Sequence, residues 1–237
     1  MSMRDKFRDH IHDRIKVLVL GDSGVGKSCL VNLICQPHSS NRPSWTIGCS
    51  IEVFLHQFNE GTPNHRSCLI ELWDVGGYKT HSLARSIFYD SYQGIILVHD
   101  LTNRKSYLNL RQWLGEVLTA SDGTQMKEGR IAEEFDPEIF IGKNIPVLIV
   151  GTKKDLLSAN AASRPRPTSL TEECGAFEIE INCLDSRAFA PGLTNCAEMT
   201  RFFDKVIERK YTLSDRMRSS SSSGLLYNTK SPRSHVD

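Results

Sequence analysis

An α/β fold, with a mostly parallel sheet covered by helices, is predicted by three observations in the sequence. Apolar runs at Ile15–Leu20, Ile95–Val98 and Ile145–Val150 have the composition of strands buried on both faces. Between two of them Leu110, Trp113, Leu114, Val117 and Leu118 recur at helical spacing, which places one apolar face on a helix over 107–118. The glycine-rich stretch Gly21–Ser28 joins the first run to a helix that starts at Cys29. Strand and helix alternate, as a parallel sheet requires.

Taken in order, residues 36–45 carry Pro37, Ser39, Ser40, Asn41, Pro43 and Ser44, an extended connection. Ile51–Phe58 and Cys68–Trp73 read as a hairpin joined by the polar turn Asn59–Asn64. Tyr78–Ser86 is polar and small enough for a loop or a poorly fixed helix. Thr119–Asn144, with six acidic residues against three basic, is a surface excursion partly held by Ile131, Phe135, Ile139 and Phe140. Ser158–Thr171, with Pro165 and Pro167, is a second loop. Phe177–Ile181 is the last strand, and Met199, Phe202, Phe203, Val206 and Ile207 mark a closing helix through Tyr211. From Thr212 the Ser and Arg content predicts a disordered tail.

Function enters at the loop. Three glycines and small neighbours let the backbone of Gly21, Asp22, Ser23, Gly24, Val25 and Gly26 curl with its N–H groups inward. The helix beginning near Lys27, Ser28 and Cys29 adds its positive end. That is a cradle for a polyphosphate. Lys27 would reach the outer phosphates, and the Ser28 hydroxyl would ligate Mg²⁺.

Composition narrows the remaining classes. The 237 residues suit one domain with extensions, with 39% apolar and 24% charged residues and a formal net charge of +1. No basic footprint for nucleic acid is present. Seven cysteines without a Cys-x-x-Cys pair read as reduced thiols of a cytosolic protein. Residues 1–14 are charged, and no stretch is apolar enough for a span, so a soluble protein is expected.

The phosphate loop, Trp45-Thr46-Ile47-Gly48, Trp73-Asp74-Val75-Gly76-Gly77, the strand Gly94–Asp100 and Gly151-Thr152-Lys153-Lys154-Asp155 stand in a telling order. Together they resemble the ordered motifs of Ras-superfamily small GTPases, closest to the Rab branch. The resemblance implies a P-loop small GTPase fold, a six-stranded, mostly parallel sheet with helices on both faces and one antiparallel edge strand. It divides the chain into a short extension at 1–13, a GTPase domain at 14–211 with polar insertions near 119–144 and 157–174, and a tail at 212–237.

The same resemblance implies GTP or GDP and Mg²⁺ as ligands, with Ser28, Thr46 and, through water, Asp74 on the metal side. Thr46 is the switch threonine, and the Gly77 N–H touches the γ-phosphate. Asp155 reads guanine through two hydrogen bonds, Lys153 lies against the base, and the backbone at Cys183 and Leu184 is the candidate late base loop. Departures from the family pattern carry their own expectations. Thr152 stands in place of Asn, which lowers affinity, and Tyr78 replaces the water-orienting Gln, which makes hydrolysis slow or assisted. Ser39, beside His38, lacks the base-stacking ring, so nucleotide leaves readily.

No cysteine follows Cys196, so no prenyl anchor is expected, and Arg216, Arg218, Lys230 and Arg233 are too dispersed to bind a membrane strongly. The implied partners are guanine nucleotide, protein effectors, and other small GTPases with their chaperones, in the handling of prenylated GTPases such as Ras. A homodimer is implied too, and cytoplasmic location with transient membrane contact through partners. A nucleotide-bound scaffold, its partner binding indifferent to nucleotide state, is the alternative.

Overall fold

The computed structural model describes residues 13–37, 43–78, 82–121, 137–157 and 170–223. Six strands form one sheet in the order β2-β3-β1-β4-β5-β6: β1 (Asp13–Leu20), β2 (Cys49–Phe58), β3 (Arg66–Val75), β4 (Gly94–Asp100), β5 (Val147–Thr152) and β6 (Phe177–Glu180). Only β2 runs antiparallel, paired to β3 with Ile51 opposite Trp73, and it lies at one edge of the sheet. The predicted hairpin and the six-stranded plan are both present.

Alternation along the central strands builds two cores. Ile15, Val17 and Val19 of β1, Ile96 and Val98 of β4, and Leu148 and Val150 of β5 face one side. There they meet α1 (Lys27–Cys35) and the closing helix, here numbered α7 (Thr194–Ser223), through Leu30, Phe202, Phe203 and Val206. Leu18, Leu20, Ile95, Leu97, Val147 and Ile149 face the other, against Leu110, Leu114 and Val117 of α4 (Leu110–Ser121). Burial on both faces is why these strands read as unbroken apolar runs.

Four short α-helices, α2 (Ser82–Arg85), α3 (Arg104–Leu108), α5 (Pro137–Gly142) and α6 (Leu170–Cys174), and two 3₁₀ turns, Ser86–Phe88 and Lys154–Leu156, complete the described fold. Several boundaries differ from the sequence reading. The helix expected over 107–118 is split at Asn109 into α3 and α4, α3 beginning where the Asn103 side chain accepts from the Lys105 N–H at 3.1 Å. Of the loop and the poorly fixed helix open to 78–86, the structure has the short helix α2, ending at Arg85, which is 5% exposed. In the first insertion Phe140 is buried on α5, while Ile131 and Phe135 lie outside the described residues. The second insertion ends in helix, since α6 starts at Leu170.

The closing helix corrects the boundary at Tyr211, since α7 continues to Ser223. Its packed part supplies the costly nucleus, so the Ser-containing turns that follow add one hydrogen bond per residue. The anchors sit just before the expected end. Tyr211 Oη donates to Asp13 Oδ2 at 2.6 Å, Lys210 Nζ donates to the Arg14 carbonyl, and His56 Nε2 lies 2.8 Å from Asp204 Oδ1. Residues 224–237 of the predicted tail lie outside the described residues.

β1 pairs with β3 on one side and β4 on the other, so the strand order reverses around its carboxyl end. In open α/β sheets that crevice is where ligands bind. The glycine loop leaves β1 there.

Candidate functional site

Close approach shapes the loop. Gly21 has φ +146, and a Cβ on it would lie 2.1 Å from the Val98 carbonyl oxygen of β4. Gly24 and Gly26 also have positive φ, at +78 and +101, which turns the chain into α1 without a side-chain cap. Lys27, 6% exposed, folds back along the loop and donates to the Gly21 and Asp22 carbonyls at 2.9 and 3.0 Å. Burial pushes its ammonium below the usual lysine range, while Asp74 and Asp22 pull it up.

Ser28, Thr46 and Asp74 come from three separate elements and meet. Ser28 Oγ lies 2.9 Å from Thr46 Oγ1 and donates to Asp74 Oδ2, which also accepts from Thr46 Oγ1 at 3.1 Å. Asp74 is 1% exposed, and its second oxygen, Oδ1, is buried without a hydrogen-bond partner. Burial drives its carboxyl above the ordinary range, although Ser28, Lys27 and Thr46 oppose the shift. An orphaned buried carboxylate oxygen beside two hydroxyls is costly alone and suits a hard divalent cation such as Mg²⁺. A cavity of about 310 Å³ opens beside them, lined by Val31, Asn32, Trp45 and Ser50.

Gly76 and Gly77 press against this centre. The Gly76 N–H donates to the Gly48 carbonyl at 2.8 Å, and a Cβ on Gly77 would sit 2.5 Å from both Gly21 O and Ser23 N. The Gly77 backbone therefore touches the phosphate loop. Tyr78 follows, 53% exposed.

On the base side the structure separates what the sequence grouped. Thr152 is 1% exposed, and its hydroxyl donates to the Val25 carbonyl, with the His99 carbonyl 3.0 Å away. It braces the loop from beneath and does not present itself to a base. Thr152→Val should therefore lower stability by ~1–2 kcal/mol, the penalty for stranding a buried carbonyl, and hasten nucleotide loss. Urea unfolding and release of a fluorescent guanine nucleotide measure the two effects.

Lys153 adopts a left-handed conformation with φ 58, and its Nζ donates to Asp100 Oδ2 at 2.6 Å. Burial works against the Asp100 charge, yet Lys153 and Thr102 hold that carboxyl below its usual range. Asp155 is exposed. Burial, with Cys29 and Asp155 adding to it, pushes the Cys183 thiol of the late loop up to about 12. The Leu184 N–H already donates to Asn182 Oδ1 at 2.9 Å, so this loop's geometry is fixed by an asparagine turn. His38 and Ser39 lie outside the described residues.

Sequence reasoning missed the groups behind the loops. Asp22 accepts from Asn109 Nδ2 at 2.6 Å and from Trp113 Nε1 at 3.0 Å. Trp113 was legible only as a core residue at helical spacing, and nothing local marks its indole N–H as a loop anchor.

Phosphate loop, hydroxyl pair, buried aspartate and the crevice at the strand-order reversal together define a Ras-type small GTPase. The model of the Ras family matches residues 16–199, and the chain belongs to that family. Within it, the chain is similar to Rab-like protein 3 of Bos taurus, 46% identical over 212 residues that span 86% of this chain and 88% of the relative. Rab-like protein 3 of Homo sapiens is 45% identical over 210 residues, 85% of this chain and 87% of the relative. Small GTPase-like protein LIP2 of Arabidopsis thaliana is 32% identical over 247 residues, 93% of this chain and 71% of the relative.

Proposed function

We propose that this protein is a Mg²⁺-dependent GTP- and GDP-binding switch that hydrolyses GTP slowly or with assistance and acts through nucleotide-dependent partner binding. The convergence of Ser28, Thr46 and Asp74 beside Lys27 carries the reading. Mg²⁺ held by Ser28 and Thr46, with Asp74 acting through water, would neutralise phosphate charge. Lys27 would turn from the loop carbonyls to the outer phosphates, and the Gly77 N–H would meet the γ-phosphate. Asp155, Lys153 and the Cys183 backbone would bind the base. Tyr78 offers an attacking water one phenol in place of an amide, which is why hydrolysis is slow.

Nucleotide extraction from purified protein followed by chromatography tests base, phosphate count and occupancy together. The expected result is GDP or GTP at close to one equivalent, with affinity at least tenfold weaker in Lys27→Ala by the usual value of a charge-assisted hydrogen bond, about 1.5–3 kcal/mol. Adenosine phosphates, or empty folded protein, would overturn it.

Tyr78 also supports a second reading, a nucleotide-bound scaffold whose partners dock regardless of state. Equal partner affinity with GDP and a non-hydrolysable GTP analogue would favour the scaffold. A homodimer belongs to either reading. Trp45 and Ile47 are 83% and 85% exposed, and Ile51, Val53 and Leu55 of edge strand β2 are half-exposed, apolar groups that favour a protein cover. The handling of prenylated small GTPases, with location in the cytoplasm and at membranes through those partners, is the cellular role that fits such a surface.

A further inference from the structure

A buried charge network behind the second phosphate-facing loop ties it to α4. Arg85 Nε and Nη2 donate to the two carboxylate oxygens of Glu116 at 2.9 and 2.7 Å. Its Nη1 donates to the Tyr78 carbonyl at 2.8 Å, and its guanidinium lies 4.4 Å from the centre of the Trp113 ring. Tyr89 Oη donates to Glu116 Oε1 at 2.7 Å. Trp113 is also the residue whose indole N–H holds Asp22. One helix thus moors both the phosphate loop and the residue after Gly77.

The first loop is held differently. Residues 43–47 have no regular structure, and the Thr46 hydroxyl ties them to Ser28 and Asp74. A nucleotide can shift a loop only by the difference in its affinity for the two positions. For the loop after Gly77 that difference is about one N–H to phosphate hydrogen bond. Against it stands the loss of a bidentate pair whose separation would leave a buried carboxylate uncompensated.

We propose that Arg85 is a positioning residue that fixes the Tyr78 carbonyl and residues 85–89 in one arrangement whichever guanine nucleotide is bound, leaving 43–48 as the moving part. The proposal rests on the nucleotide-switch reading above. Arg85→Lys keeps a charge near Glu116, but one ammonium cannot span both carboxylate oxygens and the Tyr78 carbonyl. The paired change Arg85→Met with Glu116→Leu removes both charges and leaves no orphan carboxylate, so it serves where Arg85→Lys fails to fold.

Hydrogen exchange on the full chain, with Mg²⁺ and either GDP or a non-hydrolysable GTP analogue, tests this. In the wild type, amides 85–89 should exchange at rates within about twofold between the two nucleotides, while 43–48 change about tenfold or more. In the variants 85–89 should become nucleotide-dependent by about tenfold, whereas a merely structural role would speed them equally in both states. Wild-type 85–89 that already follow the nucleotide, or variants that differ equally in both states, overturn the proposal. Chromatography of the same samples separates the two readings. If the wild type holds no guanine nucleotide, the switch reading fails and the proposal falls with it, whereas nucleotide-bound wild type whose amides 85–89 follow the nucleotide sinks the clamp alone.

Discussion

Gly21→Ala is expected to abolish nucleotide retention and to lower stability by about 3–5 kcal/mol, the range reserved for changes the structure cannot absorb. The new methyl would stand 2.1 Å from the Val98 carbonyl oxygen and 3.4 Å from Val25 Cγ2, at a φ of +146. The Val98 carbonyl cannot swing aside freely, because Val98 pairs with Val150 of β5 and directly follows Leu97, the last β4 residue paired to β1. The loop must move instead, and with it every N–H aimed at phosphate. Gly24→Ala is the control: a Cβ there meets nothing within 4 Å, so only the positive φ is strained, at about 1–2 kcal/mol. Denaturant unfolding and nucleotide chromatography of the two variants side by side measure the contrast.

How far the sequence carried depends on whether a property is local. The sheet was legible because burial on both faces leaves unbroken runs at Ile95–Val98 and Ile145–Val150, and the phosphate loop because its glycines and the Lys27-Ser28 pair are contiguous. Thr46 and Asp74 were legible through motif order, and the structure brings both to Ser28. What stayed hidden depends on partners distant in the chain. Thr152 looked like a weakened base reader, but its hydroxyl reaches Val25, 127 residues away. Arg85 read as part of a polar loop because nothing near it announces Glu116, 31 residues on. The end of α7 was misplaced for a related reason. Composition reports the preference of Ser and Arg, whereas the anchors of Asp204, Lys210 and Tyr211 on β1 and β2 decide where the helix is already nucleated.

Asp74→Asn is expected to remove the Mg²⁺ dependence of nucleotide binding while leaving the metal-free protein nearly as stable as the wild type. The reasoning starts from the orphaned oxygen. Asp74 is 1% exposed, with Oδ1 unpartnered and its carboxyl pushed by burial above its ordinary value. The folded state therefore holds this proton more tightly than the unfolded chain. Its contribution to stability falls as pH rises from the ordinary carboxylate value through the raised one, and returns as pH drops. In EDTA, unfolding free energy compared between wild type and Asp74→Asn should show a difference that favours the wild type at acid pH and shrinks or reverses toward neutrality. Added Mg²⁺ with GDP should reverse that slope for the wild type, because the cation takes up the charge that burial penalises. The variant should bind nucleotide about 10–100-fold more weakly in Mg²⁺, the usual loss when a supporting carboxylate is removed. In EDTA the two proteins should bind alike. A variant that keeps full Mg²⁺ dependence, or a wild type whose stability difference is flat with pH, would mean that Asp74 carries no charge toward the metal side. The hydroxyl pair of Ser28 and Thr46 would then be insufficient to explain a cation there, since two neutral oxygens hold a divalent ion weakly without a nearby anion.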